Sequence, residues 1–261
     1  MNAEASPRRV LVTGSAAGLG LALARAFAAS GDAVFLTDIS GEVANAARTL
    51  SAETGKPVAS AVIDLAEDGS PDRLVVQAIE AMGGIDILVN NAVIRKMSAV
   101  VELGDADWDR AIEVNISAPF RLIRACLPGM QQRGWGRIVN MASVFSLIAL
   151  AGRVDYVTTK HAMIGLTRTV ALELAATSIT CNAICPGLMA TDSALARIDA
   201  LAAEKNIGRD EATALFLSTR QPGGRFIPME TVTALALFLC GPQSEGINGA
   251  AIPVDNGWSF A

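Results

Sequence analysis

The sequence predicts a single α/β domain built on a doubly wound, parallel sheet of about seven strands with helices on both faces. Short apolar runs alternate with longer helical patterns along the chain, as is typical of parallel strands joined by helical crossovers. A glycine-rich turn lies between the first apolar run and the first helical pattern. The 261 residues, 51% of them apolar, can form one large core and leave little for a second. Together these observations indicate a single-domain Rossmann fold.

The first unit is a βαβ motif. Residues 10–12 form a short strand, the turn T13-G-S-A-A-G-L-G20 follows, a helix runs to about residue 30, and residues 33–37 form the second strand. Glycines allow a tight turn and let the backbone approach a pyrophosphate, which the free N–H groups at the helix start attract. We therefore expect dinucleotide contacts at Gly14, Ser15, Gly18, Leu19 and Gly20.

Asp38, followed by Ile39, ends the second strand and indicates which dinucleotide is bound. An acidic side chain there accepts hydrogen bonds from both adenosine-ribose hydroxyls and repels a 2′-phosphate. Neither residues 15–19 nor the positions just after Asp38 hold a lysine or arginine that would pair with such a phosphate. NAD is therefore predicted over NADP, the alternative being that Asp38 only ends a strand or caps a helix.

The same alternation continues to the end of the chain. Further strands are predicted at residues 58–63, 86–89, 136–141, 179–184 and 250–254, and further helices at 41–54, 71–82, 105–133, 155–176 and 228–239. Ser143 then follows the carboxyl end of a strand, where open sheets of this type bind ligands. Two short amphipathic helical patterns, 193–206 and 209–219, lie between the sixth strand and the last helix.

Tyr156 is the only tyrosine in the chain and precedes Lys160 by four residues. Residues four apart share one face of a helix, so the phenol and the ammonium would project the same way. A phenol releases its proton only near pH 10 in water, and a nearby ammonium favours the phenolate. The pair is therefore a candidate proton-transfer site, although a bare Y-x-x-x-K is also common where the tyrosine packs and the lysine is solvated.

The whole set of motifs resembles the short-chain dehydrogenase/reductase family, in its shorter branch. The resemblance runs from about Arg8 to Trp258 and is carried by the glycine turn, Asp38, Asp64, N90-N-A92, Asn115, Ser143, Tyr156, Lys160 and P186-G187. It implies an NAD-binding and catalytic domain over residues 8–261, in which residues 188–222 form a mobile lid over the substrate. A packed helical hairpin that never moves is the alternative for that segment.

The resemblance also implies a role for each matching residue. Tyr156 would be the catalytic acid/base, Lys160 would assist it and hold the nicotinamide ribose, Ser143 would orient the substrate oxygen, and Asn115 would support a water-mediated proton relay. The remaining implied cofactor contacts are Asp64, Leu65, Asn91, Ala92, Pro186, Gly187 and Thr191. One position departs from the family, because Val93 replaces the usual glycine. A β-branched residue disfavours positive φ, so the sequence leaves the backbone conformation there open.

Within the family, the scaffold looks most like bacterial D-3-hydroxybutyrate dehydrogenases, on residues 133–138, 180–187, 221–226 and 254–258. The pocket does not match. Those enzymes have glutamine, histidine and lysine where this chain has Arg95, Phe145 and Arg153, and their lid glutamine has no counterpart near Ala196 and Arg197. A shared scaffold with a different pocket predicts a different substrate.

Arg95, Lys96 and Arg153 would surround the nicotinamide end of the cleft with positive charge, and guanidinium groups pair well with carboxylate, sulfonate or phosphate. We expect a small anionic hydroxy compound such as a hydroxy acid, sugar acid or sulfonated sugar. The expected substrate-binding residues are Arg95, Ser143, Phe145, Arg153, Tyr156 and Leu188. Scattered surface cations are the alternative explanation, and a neutral sugar, polyol or cyclic alcohol the alternative substrate.

The predicted activity is NAD-dependent oxidation of a secondary alcohol, or the reverse ketone reduction. A non-catalytic NAD-binding regulator and a sugar-nucleotide epimerase are the rival hypotheses. The net charge of −5 and pI near 5 argue against a nucleic-acid partner. No metal is expected, since burial accounts better for C181-x-x-x-C185.

A soluble, cytoplasmic protein with free thiols is expected. The longest apolar run, about residues 141–151, is too short to span a bilayer, and residues 1–9 lack the apolar core of a signal sequence. Cysteines in a reducing compartment stay unpaired. The family resemblance implies a homotetramer formed through the long helices at 105–133 and 155–176.

Overall fold

The computed structural model describes residues 7–218 and 220–261. Residues 1–6, part of the stretch that lacks the apolar core of a signal sequence, lie outside the described residues, as does Thr219 at the end of a predicted helix. The strands are β1 (Arg9–Thr13), β2 (Ala33–Asp38), β3 (Ala59–Val62), β4 (Ile87–Asn90), β5 (Gly136–Met141), β6 (Ile179–Pro186) and β7 (Ala251–Val254).

The strands form one parallel sheet in the order β3-β2-β1-β4-β5-β6-β7. The chain runs from β1 outward to β3 and then returns to place β4 on the other side of β1. This reversal creates a crevice at the carboxyl ends of β1 and β4, where open α/β sheets bind their ligands. The predicted fold class is confirmed.

The helices cover both faces of the sheet. They are α1 (Gly18–Ala29), α2 (Glu42–Thr54), α3 (Ser70–Met82), α4 (Asp105–Ile112), α5 (Ala118–Arg133), α6 (Val154–Glu173), α7 (Asp192–Lys205), α8 (Arg209–Ser218) and α9 (Met229–Leu239). The helix predicted over 105–133 exists, but one π turn, Glu113–Ser117, separates α4 from α5. The helices α7 and α8 occupy the two amphipathic patterns.

The central strands are apolar on both sides, because each face of the sheet is covered by helices. Successive side chains alternate between the faces: Val10 and Val12 pack on the side of α1, α2 and α9, whereas Leu11 packs on the side of α3, α5 and α6. Strands β4 and β5 alternate in the same way. The two core layers hold the carboxyl ends of the strands in fixed positions.

All four cysteines, Cys126, Cys181, Cys185 and Cys240, are buried free thiols. Burial raises the pKa of Cys126, Cys181 and Cys240 to about 12 and that of Cys185 to about 11. They therefore pack as small apolar groups. Among the described helices, none has the length and apolarity needed to cross a bilayer.

Candidate active site

A cavity of about 400 Å3 lies at the carboxyl ends of the strands. The predicted site residues that line it are Gly14, Leu19, Gly20, Asp38, Ile39, Asp64, Leu65, Asn91, Ala92, Arg95, Ser143, Phe145, Arg153, Tyr156, Lys160, Pro186, Gly187, Leu188 and Thr191. Segments that are far apart in the sequence thus meet in one cavity. Three other predicted residues, Ser15, Gly18 and Asn115, do not line it.

The glycine turn packs tightly against the loop after β4. A Cβ on Gly14 would lie 2.7 Å from the Ala92 Cα, and one on Gly20 would lie 2.0 Å from the Gly14 carbonyl oxygen. The Asn91 side-chain amide donates to the carbonyls of Thr13 (3.0 Å) and Gly14 (2.9 Å). Side chains larger than hydrogen are therefore excluded at both glycines, and the turn keeps its backbone open to the cavity.

Ser15 and Gly18 shape this turn without facing the cavity. The fully buried Ser15 Oγ lies 3.0 Å from the Val12 carbonyl and 3.2 Å from that of Thr37, both of which can accept from it, and itself accepts from the Thr37 N–H (3.0 Å). The exposed Gly18 begins α1 with a φ of 56°, which favours glycine. Ser15 therefore ties the turn to β2, and the cofactor contacts predicted for both residues stay predictions.

Asp38 projects into the cavity from the end of β2. One carboxylate oxygen accepts from the Ala16 N–H (3.0 Å) and the other from the Ser40 N–H (3.0 Å). These two bonds fix the carboxylate beside the glycine turn. The negative charge therefore lies where the sequence predicted contact with the adenosine ribose.

Asp64 follows β3 at the same end of the cavity and is paired with Arg110, whose guanidinium donates to it at 2.8 Å. Its other oxygen accepts from the Ala66 N–H (2.9 Å). Burial raises the Asp64 pKa, but the hydrogen bonds from Arg110 and Ala66 outweigh it and the net pKa is lowered. Arg110 also lines the cavity, a position that no motif in the sequence indicated.

Val93 lines the cavity beside Ala92. Its φ is not positive, because Asn206 and Asn256 are the non-glycine residues with positive φ in the described part of the chain. The replacement of the usual glycine therefore causes no backbone strain here, and its effect is limited to the volume of the isopropyl group.

Ser143 lies just beyond β5, in a short turn formed by Val144–Ser146. Its backbone N–H donates to the Ser146 Oγ (3.2 Å), and its own Oγ accepts from the Phe145 N–H (3.2 Å). The turn thus fixes the Ser143 side chain at the cavity wall. A hydroxyl has one donor and two acceptor positions, so the Ser143 O–H can still donate to a ligand oxygen.

Tyr156 and Lys160 lie one turn apart on α6 and both line the cavity. The buried Lys160 Nζ is 5.6 Å from the Tyr156 ring centroid and donates to the Met141 carbonyl at 2.6 Å. Burial is the main cause that lowers the Lys160 pKa, to about 8. The Phe145 ring meets the Tyr156 ring edge-on, with centroids 6.1 Å apart. The ring is therefore held in the cavity with a cation beside it.

Asn115 lies within the π turn and faces the loop after β4. Its side-chain oxygen accepts from the Ile94 N–H (2.9 Å), and its amide group donates to the Ile94 carbonyl (2.9 Å) and the Thr159 Oγ1 (3.1 Å). The buried amide thus connects that loop with α6. The proton relay predicted for Asn115 stays a prediction.

Two of the three predicted cations reach the cavity. Arg153, immediately before α6, is 9% exposed, and the exposed Arg95 has its guanidinium carbon 5.8 Å from the Tyr156 ring centroid. Arg95 also donates to the Ser193 Oγ on α7 at 3.0 Å. The expectation for Lys96 is wrong, because its ammonium pairs with Asp107 and does not line the cavity.

A sequence profile described as enoyl-(acyl carrier protein) reductase matches residues 14–259. The D-beta-hydroxybutyrate dehydrogenase of Cupriavidus necator is 36% identical over 251 residues, which is 96% of this chain and 97% of that protein. The chain belongs to the short-chain dehydrogenase/reductase family. It is a secondary-alcohol dehydrogenase or reductase of that type, and the family uses a nicotinamide cofactor.

Two further relatives of the family have names that give different substrates. The D-beta-hydroxybutyrate dehydrogenase of Rhizobium meliloti is 34% identical, over 97% of this chain and 98% of that protein. The solved L-sorbose reductase of Gluconobacter frateurii, complexed with NADPH and L-sorbose, superposes with a TM-score of 0.93 at 30% identity, over 100% of both chains. The scaffold likeness predicted from the sequence is confirmed.

No motif in the sequence indicated several of the cavity residues. Those nearest the substrate end are Leu150, Met189, Ser193, Arg197, Arg220 and Trp258. Trp258 packs edge-on against Phe145, with centroids 5.3 Å apart, and Arg197 lies in the region where the sequence has no counterpart of the lid glutamine. The amphipathic patterns of α7 and α8 show which residues are apolar, but they do not indicate which polar side chains turn toward the cavity.

Proposed function

We propose that the protein is an NAD-dependent dehydrogenase that oxidises the secondary alcohol of a small anionic hydroxy compound, or reduces the matching ketone. The observation that carries this proposal is one cavity in which Tyr156, Lys160 and Ser143 lie beside Arg95 and Arg153. The first three residues are suited to moving a proton from a hydroxyl, and the two arginines are suited to binding an anionic group.

The cavity residues fit a dinucleotide. Side chains larger than hydrogen are excluded at Gly14 and Gly20, which leaves room for the close backbone approach that a pyrophosphate needs at a helix start. The fixed Asp38 carboxylate supports NAD, since it would accept hydrogen bonds from ribose hydroxyls and repel a 2′-phosphate. The solved L-sorbose reductase has NADPH bound, so the choice of cofactor is part of the proposal.

The bound dinucleotide supplies the hydride acceptor for alcohol oxidation. Tyr156 accepts the proton of the substrate hydroxyl, and Ser143 donates a hydrogen bond to the oxygen as it becomes a carbonyl. Lys160 has three donors, of which one is directed to the Met141 carbonyl. With a pKa of about 8, Lys160 carries its charge at pH 7 beside the Tyr156 ring, so the ammonium and the phenol lie together where the substrate hydroxyl would bind.

Arg153 is the strongest support for an anionic substrate. It is almost fully buried in the cavity wall, and a buried guanidinium is costly unless it is paired. Burial is the main cause that lowers its pKa, and the neighbouring Arg197 and Arg95 lower it further, whereas Asp155 and Tyr156 offset only part of this lowering. A carboxylate, sulfonate or phosphate on the substrate would offset this cost through charge-assisted hydrogen bonds.

A panel of hydroxy acids, sugar acids, sulfonated sugars and neutral polyols, followed by NADH absorbance, tests the proposal. The same panel with NADP tests the cofactor. We expect turnover with NAD and an anionic compound. Arg153→Met should lower kcat/KM for the anionic compound by about 30-fold or more, because removing one partner of a buried charged pair leaves the other unpaired. The kcat/KM for neutral alcohols should change little.

Arg168→Met is the matched control, because Arg168 is an exposed arginine on α6, the helix that follows Arg153, and does not line the cavity. Unchanged kinetics in Arg153→Met would refute the anionic substrate. Absence of NAD-dependent turnover across the panel would instead favour a non-catalytic NAD-binding protein. Faster turnover of neutral sugars or polyols, as the likeness to L-sorbose reductase suggests, would support the second candidate function.

We also propose a homotetramer that assembles through α4, α5 and α6. Phe120 on α5 and Leu172 on α6 are 46% and 79% exposed in the single chain, and an exposed apolar side chain in this region is consistent with burial in an interface. Light scattering after size-exclusion chromatography measures the mass directly. A monomer at micromolar concentration would refute the assembly.

A further inference from the structure

Four arginine side chains surround the substrate end of the cavity: Arg95 after β4, Arg153 before α6, Arg197 on α7 and Arg220 after α8. Among the described residues, the carboxylates in the cavity lining are those of Asp38 and Asp64, at the end next to β2 and β3. Asp64 is already paired with Arg110. The two carboxylates of the lining therefore lie at the other end of the cavity from the four arginines.

The two arginines of the α7–α8 pair are held by one aromatic ring. The guanidinium carbon of Arg197 lies 5.1 Å from the Phe216 ring centroid and that of Arg220 lies 4.5 Å from it. Phe216 is itself buried with Ile198 and Ala212 in a small core between α7 and α8. Cation–π contacts on a fixed ring orient both guanidiniums before any ligand binds.

The guanidiniums of the cluster repel one another, and the buried Asp155 near Arg153 offsets part of that repulsion. Burial lowers the pKa of Arg153, Arg197 and Arg220, and the charge of at least one other member of the cluster lowers each pKa further. Arginine stays protonated near neutral pH, so the repulsion persists in the free protein. A bound anion would relieve the repulsion and the burial cost together.

We propose that Arg197 and Arg220 complete, with Arg95 and Arg153, a binding site for a tetrahedral oxyanion carried by the substrate, that is, a sulfonate or phosphate group. The inference rests on the proposed function and narrows its substrate class. A planar carboxylate has two oxygens and suits one bidentate guanidinium. A tetrahedral group presents three oxygens in different directions, which matches guanidiniums that approach from both the sheet and the α7–α8 pair.

Thermal unfolding of the NADH complex tests the site without turnover. Methanesulfonate, methylphosphonate and acetate are compared at equal ionic strength, because a ligand that binds only the folded protein raises Tm. We expect the first two ions to raise Tm and acetate to have a smaller effect. Stabilisation by one tetrahedral ion alone identifies which group is bound. Equal stabilisation by acetate, or no stabilisation by any of the three, would overturn the inference.

Arg197→Met and Arg220→Met keep an unbranched apolar chain against Phe216 and remove the charge. Both should abolish the Tm increase. Arg209→Met is the matched control, since Arg209 lies on α8 but pairs with Asp199 at 2.9 Å and does not line the cavity. Loss of the Tm increase in all three variants alike would show a general effect on the α7–α8 pair and would overturn the inference.

Three substrates that share one secondary alcohol provide the kinetic test: 3-hydroxybutyrate, 2-hydroxypropane-1-sulfonate and 2-hydroxypropylphosphonate. We expect kcat/KM for the sulfonate or the phosphonate to exceed that for the carboxylate at least tenfold, and Arg197→Met to remove the advantage. If Arg153→Met impairs anion turnover and Arg197→Met does not, this inference fails and the proposed function stands. If neither variant differs from wild type, the anionic substrate itself is refuted.

Discussion

The two halves of the cavity are built in different ways. In the half next to β1 and β2, backbone turns define the site. The Gly14 carbonyl oxygen, for example, lies so close to Gly20 that a larger side chain at Gly20 would collide with it. In the half next to α6 and α7, long side chains define the site, and its arginines come from four separate segments. The first half is fixed by close backbone packing, and the second by the convergence of side chains from distant segments. We therefore expect substitutions in the two halves to have separable effects.

Tyr156→Phe should have the largest effect, because Tyr156 lies where the two halves meet. Removing the hydroxyl removes the proton acceptor, and general acid–base catalysis contributes about 100- to 10,000-fold. We expect kcat to fall by about that factor while the Kd for NADH, measured by fluorescence titration, stays within about twofold. A kcat within tenfold of wild type would show that proton transfer does not depend on this phenol.

Asp38→Ala tests the half of the cavity next to β1 and β2, where the cofactor is proposed to bind. Removing a carboxylate that would face a 2′-phosphate should raise kcat/KM with NADP relative to NAD by about 100-fold, since like charges in contact cost several kcal/mol. The KM for the alcohol should not change. Asp64→Asn is the control, because Asp64 lies at the same end but is paired with Arg110. An equal shift in both variants would remove Asp38 as the discriminating residue.

Lys160→Met tests the residue shared by both halves, and its effect on stability is the smallest predicted here. Burial lowers the Lys160 pKa from 10.5 to about 8, so below pH 8 the folded protein holds a costly buried charge worth at most about 3 kcal/mol. Loss of the bond to the Met141 carbonyl offsets about 1 kcal/mol of the gain. We expect the cofactor-free variant to be more stable than wild type by about 2 kcal/mol at pH 7.

The stability difference between Lys160→Met and wild type should depend on pH. Between pH 8 and 10.5 the unfolded lysine binds more protons than the folded one, so wild type gains stability as the pH rises and the advantage of the variant should disappear. Urea unfolding at several pH values measures this. Lys56→Met is the control, since the exposed Lys56 also donates to a backbone carbonyl, that of Gly31. A stability difference that does not vary over this range would contradict the prediction.

The difference between the halves also explains what could be predicted from the sequence. The parallel sheet and nearly all of its helices follow from local periodicity, and the glycine turn, Asp38 and Asn91 follow from motifs in short stretches of chain. The Ser15 side chain is directed toward Thr37, which its place in the turn did not indicate, and its cofactor contact stays a prediction. A motif gives the position of a residue along the chain, but the direction of its side chain depends on packing.

The arginine-rich half could be predicted only in part. Lys96 lies next to Arg95, but its ammonium pairs with Asp107 outside the cavity lining. Arg197 and Arg220 enter the cavity because α7 and α8 pack around Phe216. The periodicity of apolar residues in a pair of amphipathic helices does not indicate which end of the pair faces a cavity. The arginines on which the proposed substrate class depends therefore could be brought together only by the three-dimensional structure.

The π turn Glu113–Ser117 determines in which direction the side chains after it point around the axis of the long helical segment. A π turn holds one residue more than an α turn, and each residue of an α-helix advances the chain by about 100°. Deleting one residue there would rotate Asn115 away from Ile94 and release the loop that carries Arg95. The length of this segment is therefore constrained to the residue, whereas the surface loops between other elements can vary.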